Sequence, residues 1–431
     1  MIMKTVSNWS GSVKFKPAQI AKPVSEAEIQ RLVEECGHQG RVLRTVGSGH
    51  SFSSLIETNG CLLSLDRLQG LVSLDPASGV AELFGGTKLW AMNDLLFEKG
   101  RCLENLGDIN RQSIAGTVST GTHGTGAKFG SVSTQLEEIT LVTADGSLRT
   151  IGADSELFKA AQVSLGAFGV ITRVKLRTLP AYKLKLIQEK DTLDHCLANL
   201  SQSREQNRHF EFFYFPYTRS VQSKYVNETL EQVIPKSVGT VFNDLVMENL
   251  AFKILSEISR WVPGSTRAIA RLCGAAVSGA KKIDWAHRVF SMPRLVKFQE
   301  MEFSVPRDSM ADVLTELSQM IEKKKIRVHF PIECRYVKGD DIWLSPAHGR
   351  DSAYLAIHSY KGMEYREYFE AAQSIFRNHQ GRPHWGKMHF LKARDLKPLY
   401  PKFENFLEVR EKLDPRGTFL NQTLKNLFYD I

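Results

Sequence analysis

The stretch GTVSTGTHGTG, residues 116–126, sets four glycines among Ser, Thr and a single His in eleven residues. A run so rich in glycine costs backbone entropy to order and brings few side chains to a core, so it reads as a loop. Such a loop lets peptide N–H groups close around an anion, and the Ser and Thr hydroxyls add further donors. A second stretch of the same texture, Gly47-Ser48-Gly49-His50-Ser51, follows RVLRTV, which reads as a strand. Neither loop fits a familiar nucleotide pattern. Phe52 stands where the third glycine of the dinucleotide fingerprint belongs, and Thr122 stands where a phosphate loop needs its lysine. A nicotinamide-type Rossmann site and a phosphoryl-transfer loop are therefore disfavoured. A lone GSG reads as a tight turn; two such loops, each holding a histidine, point to a cofactor with a diphosphate.

The chain of 431 residues exceeds one ordinary core and predicts two domains. PVSEAEIQRLVEECGHQG reads as a helix, with Ser25 and Glu28 in capping-box spacing and glycines 37 and 40 at its end. GCLLSLDRL and GVAELFGG read as strands, TKLWAMNDLLFEKG as a helix, LEEITLVTADGSLRTI as two strands joined at Asp145-Gly146, and FGVITRVKLRTLP as a strand stopped by Pro180. Residues 236–293 carry an almost wholly helical pattern. After residue 297, FQEMEFSVP, RVHFPIECRYV, DIWLSPA and AYLAIHSYK alternate with period two and predict an antiparallel sheet, followed by the helix YREYFEAAQSIFRNHQ.

Net charge is +9, from 56 basic and 47 acidic residues, without the Lys/Arg blocks of a nucleic-acid binder. The densest basic run, EKKKIR, reads as the solvated end of a helix. Cysteines 36, 61, 102, 196, 273 and 334 show no CxxC spacing and no metal-type pairing with histidine. Free thiols, no bound metal and a cytoplasmic location are expected from that pattern and from the lack of any long apolar run. A peripheral membrane contact through 236–293 is the lesser expectation.

Two further segments carry chemistry. In IECRY an extended strand turns Glu333 and Arg335 to one face, where they read either as an ordinary ion pair or as a grip for a polyol. GRPHWGKMH packs His384, Trp385, Gly386 and Lys387 into a short aperiodic segment, readable as a site lining or as a core aromatic between solvated charges.

With GSGHSFS, NLGDINRQSIAGTVSTGTHGTG, the ExR of IECRY, RPHWGK, MEFSVP and LDPRGTFLN in this order, the chain resembles the sugar-lactone and alditol oxidases of the vanillyl-alcohol-oxidase flavoprotein superfamily over nearly its whole length. The resemblance implies an α+β fold: a PCMH-type FAD domain of two subdomains at residues 1–180, and a cap domain at 181–384 with an antiparallel sheet and a helical insertion at about 236–293. A C-terminal segment, 385–431, returns to the FAD and active-site region. It implies FAD bonded covalently to His50, with Gly47, Ser48, Gly49 and Ser51 at the diphosphate. Ser113, Gly116, Thr117, Ser119, Thr122, His123 and Gly124 form the second side, and Val170 and Ile171 meet the cofactor through their backbone. Glu333, Arg335 and Lys387 become the catalytic set for hydride transfer from a carbinol carbon to flavin N5, with His358 and His384 lining the substrate. In the family, glycine rather than alanine after NL admits oxygen, so Gly107 favours an oxidase that makes hydrogen peroxide. Asp108 departs from the serine frequent in relatives and is expected to touch substrate. The implied substrate is an aldono-1,4-lactone; an alditol, or a lactone dehydrogenase with another electron acceptor, is the alternative.

Overall fold

The computed structural model describes residues 4–235, 249–291 and 296–430. Its first helix, Glu26–His38, begins where Ser25 accepts a hydrogen bond from the Glu28 amide and Glu28 accepts one from the Val24 amide. The return bond thus falls one residue ahead of the cap amide that a capping box uses. Ile29, Val33 and Cys36 lie on its buried side at helical spacing. The helix carries the chain from Gln19–Ala21 to Leu43–Val46, and both strands pair in parallel with Cys61–Ser64 between them.

A five-stranded antiparallel sheet follows, in the order Leu148–Gly152, Leu136–Val142, Val170–Arg177, Val80–Phe84, Leu71–Leu74. Its first hairpin turns at Asp145-Gly146, where Gly146 takes φ +76° and the Asp145 carboxylate accepts from the Ser147 amide and hydroxyl. The stretch read as a second glycine loop opens differently: Ile114–Ser119 is a short helix, and only the residues after it run as loop.

Eight strands form the largest sheet, in the order Ala280–Trp285, Lys183–Thr192, Ser220–Glu228, His209–Tyr214, Ile332–Val337, Ser352–Tyr360, Phe298–Pro306, Arg382–Pro383, all antiparallel. Strand alternation gives this sheet two unlike faces. One carries Phe212, Tyr214, Ile332, Cys334, Phe303 and Leu355 and lies under two helices, Met310–Lys324 and Arg366–Asn378. Phe303 stacks on Phe376 of the second helix, and the Tyr214 hydroxyl meets Ser318 of the first at 2.7 Å. EKKKIR ends the first of these helices as expected, with Lys325 left-handed at φ +54°. The other face carries the charged residues.

Two sequence readings are corrected. DIWLSPA is no strand: Pro346 and the bond from Ser345 Oγ to the Asp340 carboxylate fold it into a turn, with one isolated pairing between Asp340 and His348. Within the stretch read as helical, Asn249–Trp261 and Thr266–Ala275 are helices, but Ala280–Trp285 is an edge strand paired with Lys183–Gln188. Its exposed Lys281 is a residue that suits a sheet edge. Residues 236–248 and 292–293 of that stretch lie outside the described residues. No helix among the described residues is long and apolar enough to cross a membrane.

Residues 418–429 close back on the first strands. Leu43 N–H donates to Thr418 O at 2.8 Å, and buried Arg44 donates to the carbonyls of Leu55, Leu165 and Phe419. Asn421 Nδ2 lies within 3.2 Å of the carbonyls of Ser54, Leu55 and Glu57, while its Oδ1 caps the helix Gln422–Tyr429. Asn421→Ala removes the cap and three bonds to the carbonyls of Ser54, Leu55 and Glu57, so urea unfolding should show a loss of about 2 kcal/mol. A loss below about 0.5 kcal/mol would mean that this clasp contributes nothing of note.

Candidate active site

The strand Leu43–Val46 delivers Gly47–Ser51 to one wall of a cleft with about 840 Å³ of empty space, partly open to solvent. Gln112, Ser113, Gly116, Ser119 and Thr120 line it as well, with Gly166, Gly169 and Ile171. The first two of these segments touch: a Cβ on Gly47 would fall 2.0 Å from Ser113 Oγ. Gly169, at φ +150°, leaves no room for a Cβ either, which would sit 2.3 Å from Val142 O. Ser48 Oγ is buried and has no hydrogen-bond partner. His50 borders the cleft, its ring stacked on Trp9 at 5.8 Å between centroids. Burial, helped by Lys387, Lys88 and Arg111, pushes its pKa down to about 4, so the imidazole is neutral at pH 7.

Not every residue assigned to the cofactor lines this cleft. Thr117 and Val170 are buried behind it; Thr117 Oγ1 donates to Ser113 O at 2.9 Å and Val170 packs in the core of the parallel sheet. Thr122 also stands a layer back, its hydroxyl 3.4 Å from the Gln112 side-chain amide. Gly107 packs against the backbone of His123, where a Cβ would lie 3.1 Å from its carbonyl oxygen. Gly124 borders a second cavity, and a Cβ on it would clash with Leu106 O at 2.3 Å.

The charged face of the eight-stranded sheet is organised by register. Ser304, Tyr354, Arg335, Glu211 and Lys224 form one cross-strand row; Glu302, Ala356, Glu333 and Phe213 form the next; Glu300 stands opposite His358 beyond. Arg335 donates to the Glu333 carboxylate and, at 2.9 Å, to Glu211, with Asp108 at 3.7 Å. Lys224 meets the other oxygen of Glu211 at 2.9 Å. Lys387 reaches Glu300 at 2.5 Å and lies 3.9 Å from Glu302. His358 Nε2 is 3.5 Å from Glu300, and His123 Nε2 is 3.2 Å from Glu302, with its other nitrogen 2.8 Å from Gly124 O. His384, 5.5 Å from the His123 ring, accepts the Gly386 amide at 3.0 Å; burial lowers its pKa to about 3.

The structure therefore gathers Asp108, Glu333 and Arg335 in one cluster and Lys387, His358 and His384 around an adjoining pair, Glu300 and Glu302. The sequence reading misses both of those glutamates, as well as Glu211 and Lys224. The available signal is FQEMEF, where two carboxylates share a face of a strand too apolar to be solvated. Arg44, at the cleft's end, carries no such signal.

Residues 17–152 match a family model described as FAD binding domain, and residues 174–427 match one described as D-arabinono-1,4-lactone oxidase. L-gulono-1,4-lactone dehydrogenase of Mycobacterium tuberculosis is 36% identical over 420 residues, 96% of this chain and 97% of that one. L-gulonolactone oxidase of Bos taurus is 32% identical over 431 residues, 98% of each. Cholesterol oxidase of B. sterolicum, at 15% identity, shares the fold with a TM-score of 0.81 over 99% of this chain and 97% of that one. The fold and the cleft define an FAD-dependent oxidoreductase. More narrowly, the chain belongs to the D-arabinono-1,4-lactone oxidase family. The cleft fits FAD: the Gly47–Ser113 approach is the cradle a diphosphate needs, and the unpartnered Ser48 hydroxyl is a donor for it.

Burial alone would raise the pKa values of Glu211 and Glu300, but Lys224 and Arg335 around the first, and Lys387 and His358 around the second, outweigh it and hold both at about 2. The unfolded chain titrates near 4.5, so this stabilisation is complete above that pH and is lost as pH falls towards 2. Thermal melts from about pH 6 to about pH 3 should show a falling Tm, with a shallower fall in Glu300→Gln. Equal slopes in the two proteins would remove Glu300 from the acid response.

Proposed function

We propose that this protein oxidises an aldono-1,4-lactone of the gulono, galactono or arabinono type at a carbinol carbon, with bound FAD as the hydride acceptor and oxygen reduced to hydrogen peroxide. The observation that carries this reading is the Glu333–Arg335 pair, buried with Asp108 beside it in a chain of this family. Its relatives include proteins named for both five- and six-carbon lactones. Glu333 accepts the proton side of the reacting hydroxyl, and Arg335 donates to the oxygen. Held by Glu211 from behind, the guanidinium cannot swing away. Arg335 and Lys387 are the cations that balance negative charge arising during reduction. FAD, when bound, supplies the oxidising equivalent. His50, neutral and at the cleft wall, tethers the flavin covalently, and Gly107 leaves a path for oxygen. A second reading, a dehydrogenase that passes electrons to another acceptor, is supported by the name of the Mycobacterium relative.

Three measurements test this. Anaerobic mixing with a panel of lactones and alditols should bleach the flavin with a lactone; reduction by alditols alone would overturn the substrate class. Glu333→Gln and Arg335→Ala should slow that reduction by about 100-fold while FAD stays bound, and a wild-type rate in either would remove its role. Acid precipitation should carry the yellow colour with the wild-type polypeptide and release it from His50→Ala; release from wild type would sink the tether.

A further inference from the structure

Beyond the reacting pair, the same sheet face holds a second cavity of about 510 Å³ of empty space. Its polar lining is Asp108, Thr125, His209, Glu211, Lys224 and Arg335, over apolar residues that include Leu186, Val226 and Phe290. The register explains the grouping. Arg335, Glu211 and Lys224 stand on successive strands in one row, while His209 and its partner Val226 stand in the next row on the same face. Neighbouring strands lie about 4.8 Å apart, so the row runs outward from the reacting pair as a track of alternating charge.

Three chemical properties define what such a cavity takes. First, its two carboxylates and two cations cancel, so it offers no net attraction to an ion. Second, Lys224 and Arg335 supply donors while Asp108 and Glu211 supply acceptors, which suits groups that both give and accept hydrogen bonds. Third, His209 is 1% exposed, and its Nε2 has no hydrogen-bond partner. Its Nδ1 lies 2.7 Å from Thr125 O, a carbonyl that only accepts, so the proton sits on Nδ1 and Nε2 presents a lone pair. Burial pushes the ring's pKa down to about 4, in keeping with that neutral form. A buried lone pair without a donor is costly and is satisfied by a ligand hydroxyl.

We propose that this cavity is a subsite for the exocyclic diol of a six-carbon aldono-1,4-lactone, with His209 and Lys224 as the specificity-determining residues. The inference rests on the lactone reading above and deepens it. A six-carbon 1,4-lactone carries a two-carbon diol on the ring carbon remote from the carbonyl; a five-carbon lactone carries only a hydroxymethyl group. With the ring held at Glu333 and Arg335, the diol extends along the row towards Glu211 and Lys224, and its hydroxyl donates to His209 Nε2. A site built around such groups rejects an analogue that lacks the hydroxyl, because its polar atoms are then left unpaired.

The test uses the holoenzyme and three lactones of the same ring configuration: L-galactono-1,4-lactone, its 6-deoxy analogue and D-arabinono-1,4-lactone. The wild-type protein should favour the first over the third by about tenfold or more in kcat/KM, and the 6-deoxy analogue should show about a tenfold higher KM. In His209→Phe and Lys224→Met the six-to-five-carbon preference should fall to near unity. A structural role alone would depress both lactones together and leave the ratio intact, which overturns the proposal. A wild-type preference for the five-carbon lactone, or indifference to the 6-deoxy change, overturns it as well, with no variant needed. If no lactone bleaches the wild-type flavin, the lactone reading itself fails and takes the subsite with it.

Discussion

A guanidinium buried among Asp108, Glu211 and Glu333 holds the charged face of the eight-stranded sheet together. An isolated charge at that depth is prohibitively costly, and an isolated carboxylate would give up its ionisation. Arranged on adjacent strands, the groups satisfy each other, and Glu211 is held in turn by Lys224. Desolvation works against the Arg335 cation, and the surrounding carboxylates more than reverse it, so its pKa is raised. The Lys387–Glu300 pair stands beside that network on the same sheet face. The network fixes the register in chemical terms, since a slip of one residue would carry these charges to the face under the two helices.

That two-faced sheet also explains what the sequence can and cannot announce. The loop around Gly47 and the loop after Ser119 are readable because glycine spacing and hydroxyl-rich composition are local, while the short helix Ile114–Ser119 is not. The helices at Glu26–His38 and Met310–Lys324 are readable because caps and end charges are local too. Glu300 and Glu302 are not, since nothing in FQEMEF says which strand will stand opposite; only the pairing with Ser352–Tyr360 and the arrival of Lys387 give them meaning. For the same reason IECRY by itself reads first as an ordinary ion pair. Alternation misleads at DIWLSPA, where the Ser345 hydroxyl bonded to Asp340, with Pro346 beside it, imposes a turn on a pattern that looks like a strand. The helical reading of GAKKI fails at an edge strand whose partner, Lys183–Gln188, lies in a remote part of the chain.

The cofactor side is built on another principle, backbone proximity. Gly47 and Gly169 are positions where a methyl group has nowhere to go, and the space saved is what lets two chain segments meet around a ligand. The charged sheet face uses long side chains and the glycine-lined cleft almost none. The two meet where the Phe52 amide donates to Gly386 O and Ser53 Oγ donates to Trp385 O, tying the His50 loop to the peptide that carries Lys387.

The clasp at Asn421 sets an order on biosynthesis. Strand Leu43–Val46 and the residues after it lean on Thr418, Phe419 and Asn421, and the ribosome makes Asn421 367 residues after Ser54, whose carbonyl it holds. The nascent chain thus carries the Gly47–Ser51 loop long before the segment that its flanking residues bond to. A chain cut short ahead of Thr418 would lack the carbonyl that the Leu43 N–H meets and the residue that caps the last helix.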